Sequence, residues 1–247
     1  MNHDINNCKR YEIDIFDNHV IVLDKDRRIL IDTGAPVSIS GGDVFEIFDR
    51  TFATKDKYHG ADIEQLSEFV GCHLDALIGN NVLANYVFQI NFKNKLFSVW
   101  DSFPENEINQ EEYVDADFRG IPSMYVIVNK DYPITSWLDT GAKISYINSK
   151  YVKDLTPIEQ KKDFFPSFGE FDVPIYSLPI MFNGIEVPFN FGVLPDPLES
   201  AMLSANTKAI VGADIFQYFT LTFHYRVDKI FVENLINIFT NPITKQD

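Results

Sequence analysis

Positive charge is scarce in this chain: 21 Lys and Arg stand against 36 Asp and Glu, a formal charge of −15 over 247 residues. A protein that follows a phosphate backbone needs a basic footprint, and one that rests on an anionic bilayer needs a basic cluster. Neither exists here, so no nucleic-acid and no membrane partner is expected. Long apolar runs are missing as well, and nothing approaches the roughly 18 residues of a membrane-spanning helix. The opening segment MNHDINNCKRYEIDIF has neither an apolar core nor a small-residue cleavage site, so no secretory signal is read there. Only two cysteines occur, Cys8 and Cys72, too few for a disulfide framework. Without a signal they are expected to stay reduced, in the cytoplasm. The five histidines show no HExxH or other ligand spacing, which sets the expectation of no metal and no cofactor.

What the chain does have is an ordinary globular composition, 45% hydrophobic and 23% charged, and a length that suits one large domain or two lobes of roughly 100–150 residues each. Internal self-similarity favours the two lobes. ILIDTGAPVSI (29–39) has a counterpart in SWLDTGAKISYI (136–147). Asp32-Thr33-Gly34-Ala35 recurs as Asp139-Thr140-Gly141-Ala142, and Ser38 and Ser145 follow at the same distance from each Asp. Upstream, each copy reads as a β-hairpin, an apolar strand turning through Lys25-Asp26 or Lys130-Asp131 into the strand that ends at the Asp. Downstream, ALIGNNVL (76–83) matches AIVGADIF (209–216). FQINFKNKLFSV then matches LTFHYRVDKIFV, with Phe88, Ile90, Phe92 and Leu221, Phe223, Tyr225 alternating as in half-buried strands. Four correspondences in one order are a tandem duplication. A lone Asp-Thr-Gly is no more than an Asx-type turn closing a strand; two copies in the same setting point to a pair of carboxylates.

The pairing resembles the aspartic peptidases, in the two-lobed single-chain arrangement of the pepsin type with each lobe cut to the size of a retropepsin subunit. The resemblance covers about Ile21–Val99 and Pro122–Glu233 and implies a mainly β, bilobal, barrel-like fold with pseudo-twofold symmetry and a few short helices. The expected organisation is an N-terminal lobe over 1–100, an acidic linker over 101–119, and a C-terminal lobe over 120–247. By the same resemblance Asp32 and Asp139 are the catalytic pair, hydrolysing a peptide or protein substrate, and a monomer suffices because both lobes lie in one chain. Thr33 and Thr140 would lock the two loops across the interface, where a purely local role would have them satisfy turn amides. Gly34 and Gly141 let the backbone approach closely, and Gly79 and Gly212 sit where a strand packs behind each loop.

The chemistry follows from the carboxylates themselves. Two of them held together by symmetry cannot both ionise cheaply, so the pair keeps one proton. The ionised member takes a proton from water and the protonated member donates to the substrate carbonyl. Ala35 and Ala142 lack the hydroxyl that a Ser there would offer to the ionised carboxylate. That absence raises the pKa and sets the optimum at mildly acidic to neutral pH.

Several positions depart from the retropepsin pattern. Pro36 and Lys143 occupy a site that is commonly acidic there, and Asn80 and Ala213 replace the usual Arg. Lys143 is either a solvated turn lysine or a group that favours acidic side chains of substrate. The spans from Asp to Gly differ, 47 residues from Asp32 to Gly79 against 73 from Asp139 to Gly212. KYHGAD (57–62) leaves little chain for a hairpin, so the flap over the cleft is expected from the second lobe. Its tip falls near Ser167, Phe168 and Gly169, with Phe164, Phe165 and Phe168 covering substrate. Helices are expected over 61–77, stopping near Gly71, and as one or two short pieces over 148–164. Two rivals stay open: a peptide-binding module without turnover, and a glycosidase, whose carboxylates stand farther apart, about 5–9.5 Å.

Overall fold

Each Asp-Thr-Gly segment ends a strand that is clamped on one edge by a short buried strand. The computed structural model describes residues 8–130 and 132–235, so Asp131 of the second Lys-Asp turn lies outside the described residues. In the first half, Arg27–Ile31 pairs in parallel with Ala76–Ile78, and Ile39–Ser40 returns antiparallel on the far edge of Ala76–Ile78. In the second half, Tyr132–Leu138 pairs in parallel with Ala209–Val211, and Tyr146–Ile147 returns antiparallel in the same way. Short runs of β-branched and aliphatic residues, Ala76-Leu77-Ile78 and Ala209-Ile210-Val211, suit strands embedded between two partners. The duplicated sequence therefore builds a duplicated unit, and the fold is of the expected class: mainly β, two pseudo-symmetric halves, few helices.

The first half's hairpin, His19–Asp24 with Arg27–Ile31, turns through Lys25 at φ 59°. The second, Ser123–Val128 with Tyr132–Leu138, turns after Asn129 and Lys130, both at positive φ. The last strands leave their own half. Phe219–His224 pairs with Val87–Asn91, Leu221 opposite Ile90 and Phe223 opposite Phe88, which joins chain ends into a ten-stranded sheet. All six residues of Phe219–His224 are buried, not the one face that period-two alternation implies. The alternation Leu221, Phe223 marks one face; on the other, Phe103 of the acidic stretch stacks on His224 with ring centroids 5.1 Å apart. Phe88 stacks on Phe223 with ring centroids 4.5 Å apart. A fully buried Phe contributes roughly 1.5–3 kcal/mol, so this junction is part of the main core. The acidic stretch 101–119 contains one short strand, Tyr113–Asp115, which closes the sheet edge against Lys229–Asn234.

The first expected helix is present, shortened to Ile63–Val70. Asp62 caps it by accepting from the Gln65 amide, the Gln65 side chain accepts from the Asp62 amide, and Gly71 ends it at φ 86°. The second expectation is corrected. Over 148–164 only a single 3₁₀ turn, Ser149–Tyr151, forms, and Glu159–Phe165 is a strand paired along its whole length with Gly169–Ser177. The Pro157 ring ends any helix there, and Glu159 onward has a ladder partner that local sequence does not reveal. A further helix, Asp196–Ser204, is entered at Pro195 with Pro197 in its first turn. Its signal was the proline-led start. Among the described residues, no helix is long and apolar enough to cross a membrane.

Candidate active site

The backbone fixes both carboxylates before any side-chain contact is made. The Asp32 amide donates to Ile78 O at 3.0 Å and the Asp139 amide to Val211 O at 2.9 Å. Each Asp then accepts from its own turn: Asp32 Oδ1 from the amides of Gly34 and Ala35 at 2.8 and 3.0 Å, Asp139 Oδ1 from Gly141 at 2.9 Å. The two loops are locked reciprocally. Thr33 N donates to Thr140 Oγ1 and Thr140 N to Thr33 Oγ1, both at 3.0 Å. The hydroxyls go on to Leu138 O and Ile31 O, both at 2.7 Å. Both threonines are fully buried, so these four bonds are shielded from water.

That lock brings Asp32 and Asp139 together, their carboxyl groups within hydrogen-bonding reach of each other. The glycines make the approach sterically feasible. A Cβ on Gly34 would lie 2.3 Å from Asp139 Oδ2, and one on Gly141 2.4 Å from Asp32 Cγ. Gly79 and Gly212 pack behind the loops, where a Cβ would meet Ala35 O at 2.5 Å or Ala142 O at 2.4 Å. Ser38 and Ser145 finish the pattern. Each accepts from that Gly amide, at 2.9 and 2.8 Å, and donates to the residue two further on, Asn81 at 2.7 Å or Asp214 at 2.6 Å.

Burial pushes Asp32 well above the usual carboxylate range, and the neighbouring Asp139 charge and hydrogen bond add to it against the amides of Gly34 and Ala35. Asp139 is raised too, by burial, against the Gly141 amide and Asp32. Both side chains keep some solvent contact. The site is thus dry enough to disfavour two charges and open enough to admit a reactant. Tyr58, unread in the sequence, stands close enough that both dyad charges, after burial, raise its pKa. It opens a two-residue turn in which Tyr58 and Ala61 exchange both amide bonds, with His59 and Gly60 at positive φ. No propensity signal separates it from an ordinary loop tyrosine.

Ser167 and Phe168 lie at the tip of the hairpin Glu159–Phe165/Gly169–Ser177, and Gly169, at φ 91°, opens its return strand. Phe168 is 43% exposed, while Phe164 stacks on Phe69 of the first half's helix at 4.6 Å and Phe165 packs on His59 at 5.0 Å. The hairpin therefore reaches from one half to the other. Lys143 touches the hairpin two residues short of its tip-side end: the ammonium bonds Asp17 at 3.0 Å and lies 4.0 Å from Asp163, whose carboxylate also accepts from Tyr146. Asn18 adds a bond to Lys143 O at 2.8 Å. Where the retropepsin Arg is missing, Asn80 donates to Thr33 O at 2.7 Å and accepts from Tyr225 at 2.5 Å. Among the described residues, no group of three or more His, Cys, Asp and Glu side chains is arranged to hold a metal.

No protein-family model and no curated protein matches the chain. Among solved structures, the solution structure of Simian Foamy Virus (mac) protease is similar at 15% identity, covering 37% of this chain and 88% of that one, with a TM-score of 0.29. EIAV protease complexed with the inhibitor HBY-793 is similar at 21% identity, covering 40% of this chain and 88% of that one, with a TM-score of 0.30.

Proposed function

We propose that the protein is an aspartic-type endopeptidase that hydrolyses peptide bonds with a water activated between Asp32 and Asp139. The observation that carries this reading is the pair of carboxyls in hydrogen-bonding reach, each pinned by its own turn and by the Thr33–Thr140 lock. One carboxylate takes a proton from water, whose oxygen attacks the peptide carbonyl carbon, while the other carboxyl protonates the carbonyl oxygen. Return of a proton to the amide nitrogen then breaks the C–N bond. The contact between the carboxyls favours this over glycosidase chemistry, which leaves room for a sugar between them. Retention of both Asp residues favours turnover over a binding-only module. One chain supplies the whole pair, so the unit of action is a monomer. The free thiols of Cys8 and Cys72 suit the reducing cytoplasm.

The test is cleavage of an unstructured protein such as reduced, alkylated casein by wild type, Asp32→Asn and Asp139→Asn. Both variants should fold and lose all but a few per cent of the rate. Full activity in either one rejects the two-carboxylate mechanism, and binding without cleavage by wild type favours the binding module.

A further inference from the structure

An open cavity of about 410 Å³ lies at one end of the seam between the halves, and neither Asp of the dyad lines it. Its wall is Lys143–Ser145, the loop directly after Asp139 and its turn; Lys161 and Lys162 of the hairpin border it; Asp17 reaches it from the first half; Asp214 lies within it. We propose that this cavity seats an acidic side chain, Glu or Asp, of a peptide bound across the dyad. The inference rests on the hydrolysis reading above and adds the substrate class.

Charge and position carry it. Three lysines meet there in a protein with a net charge of −15. Asp17 is already paired with Lys143 at 3.0 Å, and Lys161 is held by Glu159 at 3.0 Å on its own strand. Lys162 is exposed and makes no ion pair among the described residues. Asp214 is pushed up to about 7 by burial, so at mildly acidic pH it adds little negative charge. Asp163 also lies 4.0 Å from Lys143, so the positive charge left uncompensated at the cavity is that of Lys162, and a carboxylate entering beside it displaces no ion pair there. The other end of the seam is not built this way. The matching positions are Pro36 and Asn81, and the matching turn at Tyr58–Ala61 is a single bridge without a ladder. An acid pocket at one end only also fixes the direction in which a peptide lies across a pseudo-symmetric dyad.

A series of short quenched-fluorescence peptides, with Glu, Gln or Lys placed in turn at each position around the scissile bond, reads this directly. At one position on one side of the bond, kcat/KM should favour Glu over Lys by about tenfold, the scale of one partly shielded charge contact. Lys162→Glu should bring that Glu-to-Lys ratio to one or invert it, and Lys162→Gln should reduce it partway. A ratio of one throughout the wild-type series, or a preference that survives both substitutions, overturns the pocket and leaves peptide hydrolysis standing. If no peptide is cleaved, the hydrolysis reading falls separately, and anisotropy binding of the same peptides to the intact chain decides. Tighter binding of the Glu peptide, reversed in Lys162→Glu, supports the pocket; equal affinities overturn it.

Discussion

Thr33 and Thr140, 107 residues apart in sequence, each donate a backbone N–H to the other's hydroxyl at 3.0 Å. Each hydroxyl then donates to the carbonyl just before the opposite Asp. The relationship is symmetric because the tetrapeptides are identical, and it makes the spacing of the carboxylates a property of the loops, independent of anything bound.

Replacing one threonine by Val keeps the shape and removes the hydroxyl. Thr33→Val leaves the Thr140 N–H and the Leu138 carbonyl without partners in a buried setting. The expected loss is about 2–4 kcal/mol of stability, together with at least a tenfold fall in kcat. Thr33→Ser should restore most of both. Urea unfolding and initial rates on the three proteins measure it, and a Val variant as active as wild type removes the lock from the mechanism.

The carboxylate pair predicts the pH profile. Turnover needs one proton on the dyad; burial raises both groups, and the Asp139 charge adds to the rise of Asp32. The acid limb, where the second proton binds, therefore moves upward, as does the alkaline limb, where the last proton leaves. The rate should trace a bell with its maximum at mildly acidic to neutral pH. An optimum near pH 2–3 on an unstructured substrate contradicts this environment for the dyad.

How much of this was legible in the sequence depends on how local each feature is. The dyad, the threonines and the close-packing glycines could be read because one tetrapeptide occurs twice behind similar strands. Asp62, Gln65 and Gly71 bounded their helix because capping is local chemistry. The strand Glu159–Phe165 was not legible, since its charged run Glu-Gln-Lys-Lys-Asp looks like a solvated helix until Gly169–Ser177 pairs with it. Two-sided burial of Phe219–His224 depends on a partner about 130 residues upstream. The place of Tyr58 beside both carboxyls and the contact of Lys143 with Asp17 arise only when the halves meet, and that of Lys143 with Asp163 only when the hairpin folds back onto the loop after Asp139.

The hairpin tip predicts two different phenotypes for neighbouring phenylalanines. Phe168 is 43% exposed, so Phe168→Ala should leave the melting temperature within a degree or two while raising KM or lowering kcat. Phe164 stacks on Phe69 across the halves, so Phe164→Ala should loosen the closed hairpin and make it more sensitive to limited proteolysis. A drop of roughly 3–5 kcal/mol for Phe168→Ala would mark it as core and retire the flap role.

Asp214 offers a test that is independent of catalysis. It accepts from Ser145 at 2.6 Å, where the first half places the neutral Asn81 opposite Ser38 at 2.7 Å. Burial pushes Asp214 up to about 7 from an ordinary 3.8. A carboxyl whose pKa is raised on folding binds its proton more tightly in the native state, so it is least harmful below the unfolded value. The stability it contributes is lost as pH rises through the window from 3.8 to about 7. Asp214→Asn copies the first half, keeps an oxygen for the Ser145 hydroxyl and never ionises. Wild type and variant should therefore melt together near pH 4, and the variant should melt higher at pH 8, with the gap opening across the window. Thermal unfolding at closely spaced pH values measures it. Equal melting temperatures at pH 8 would show that Asp214 ionises there without penalty, and that the second half tolerates a charge where the first half has none.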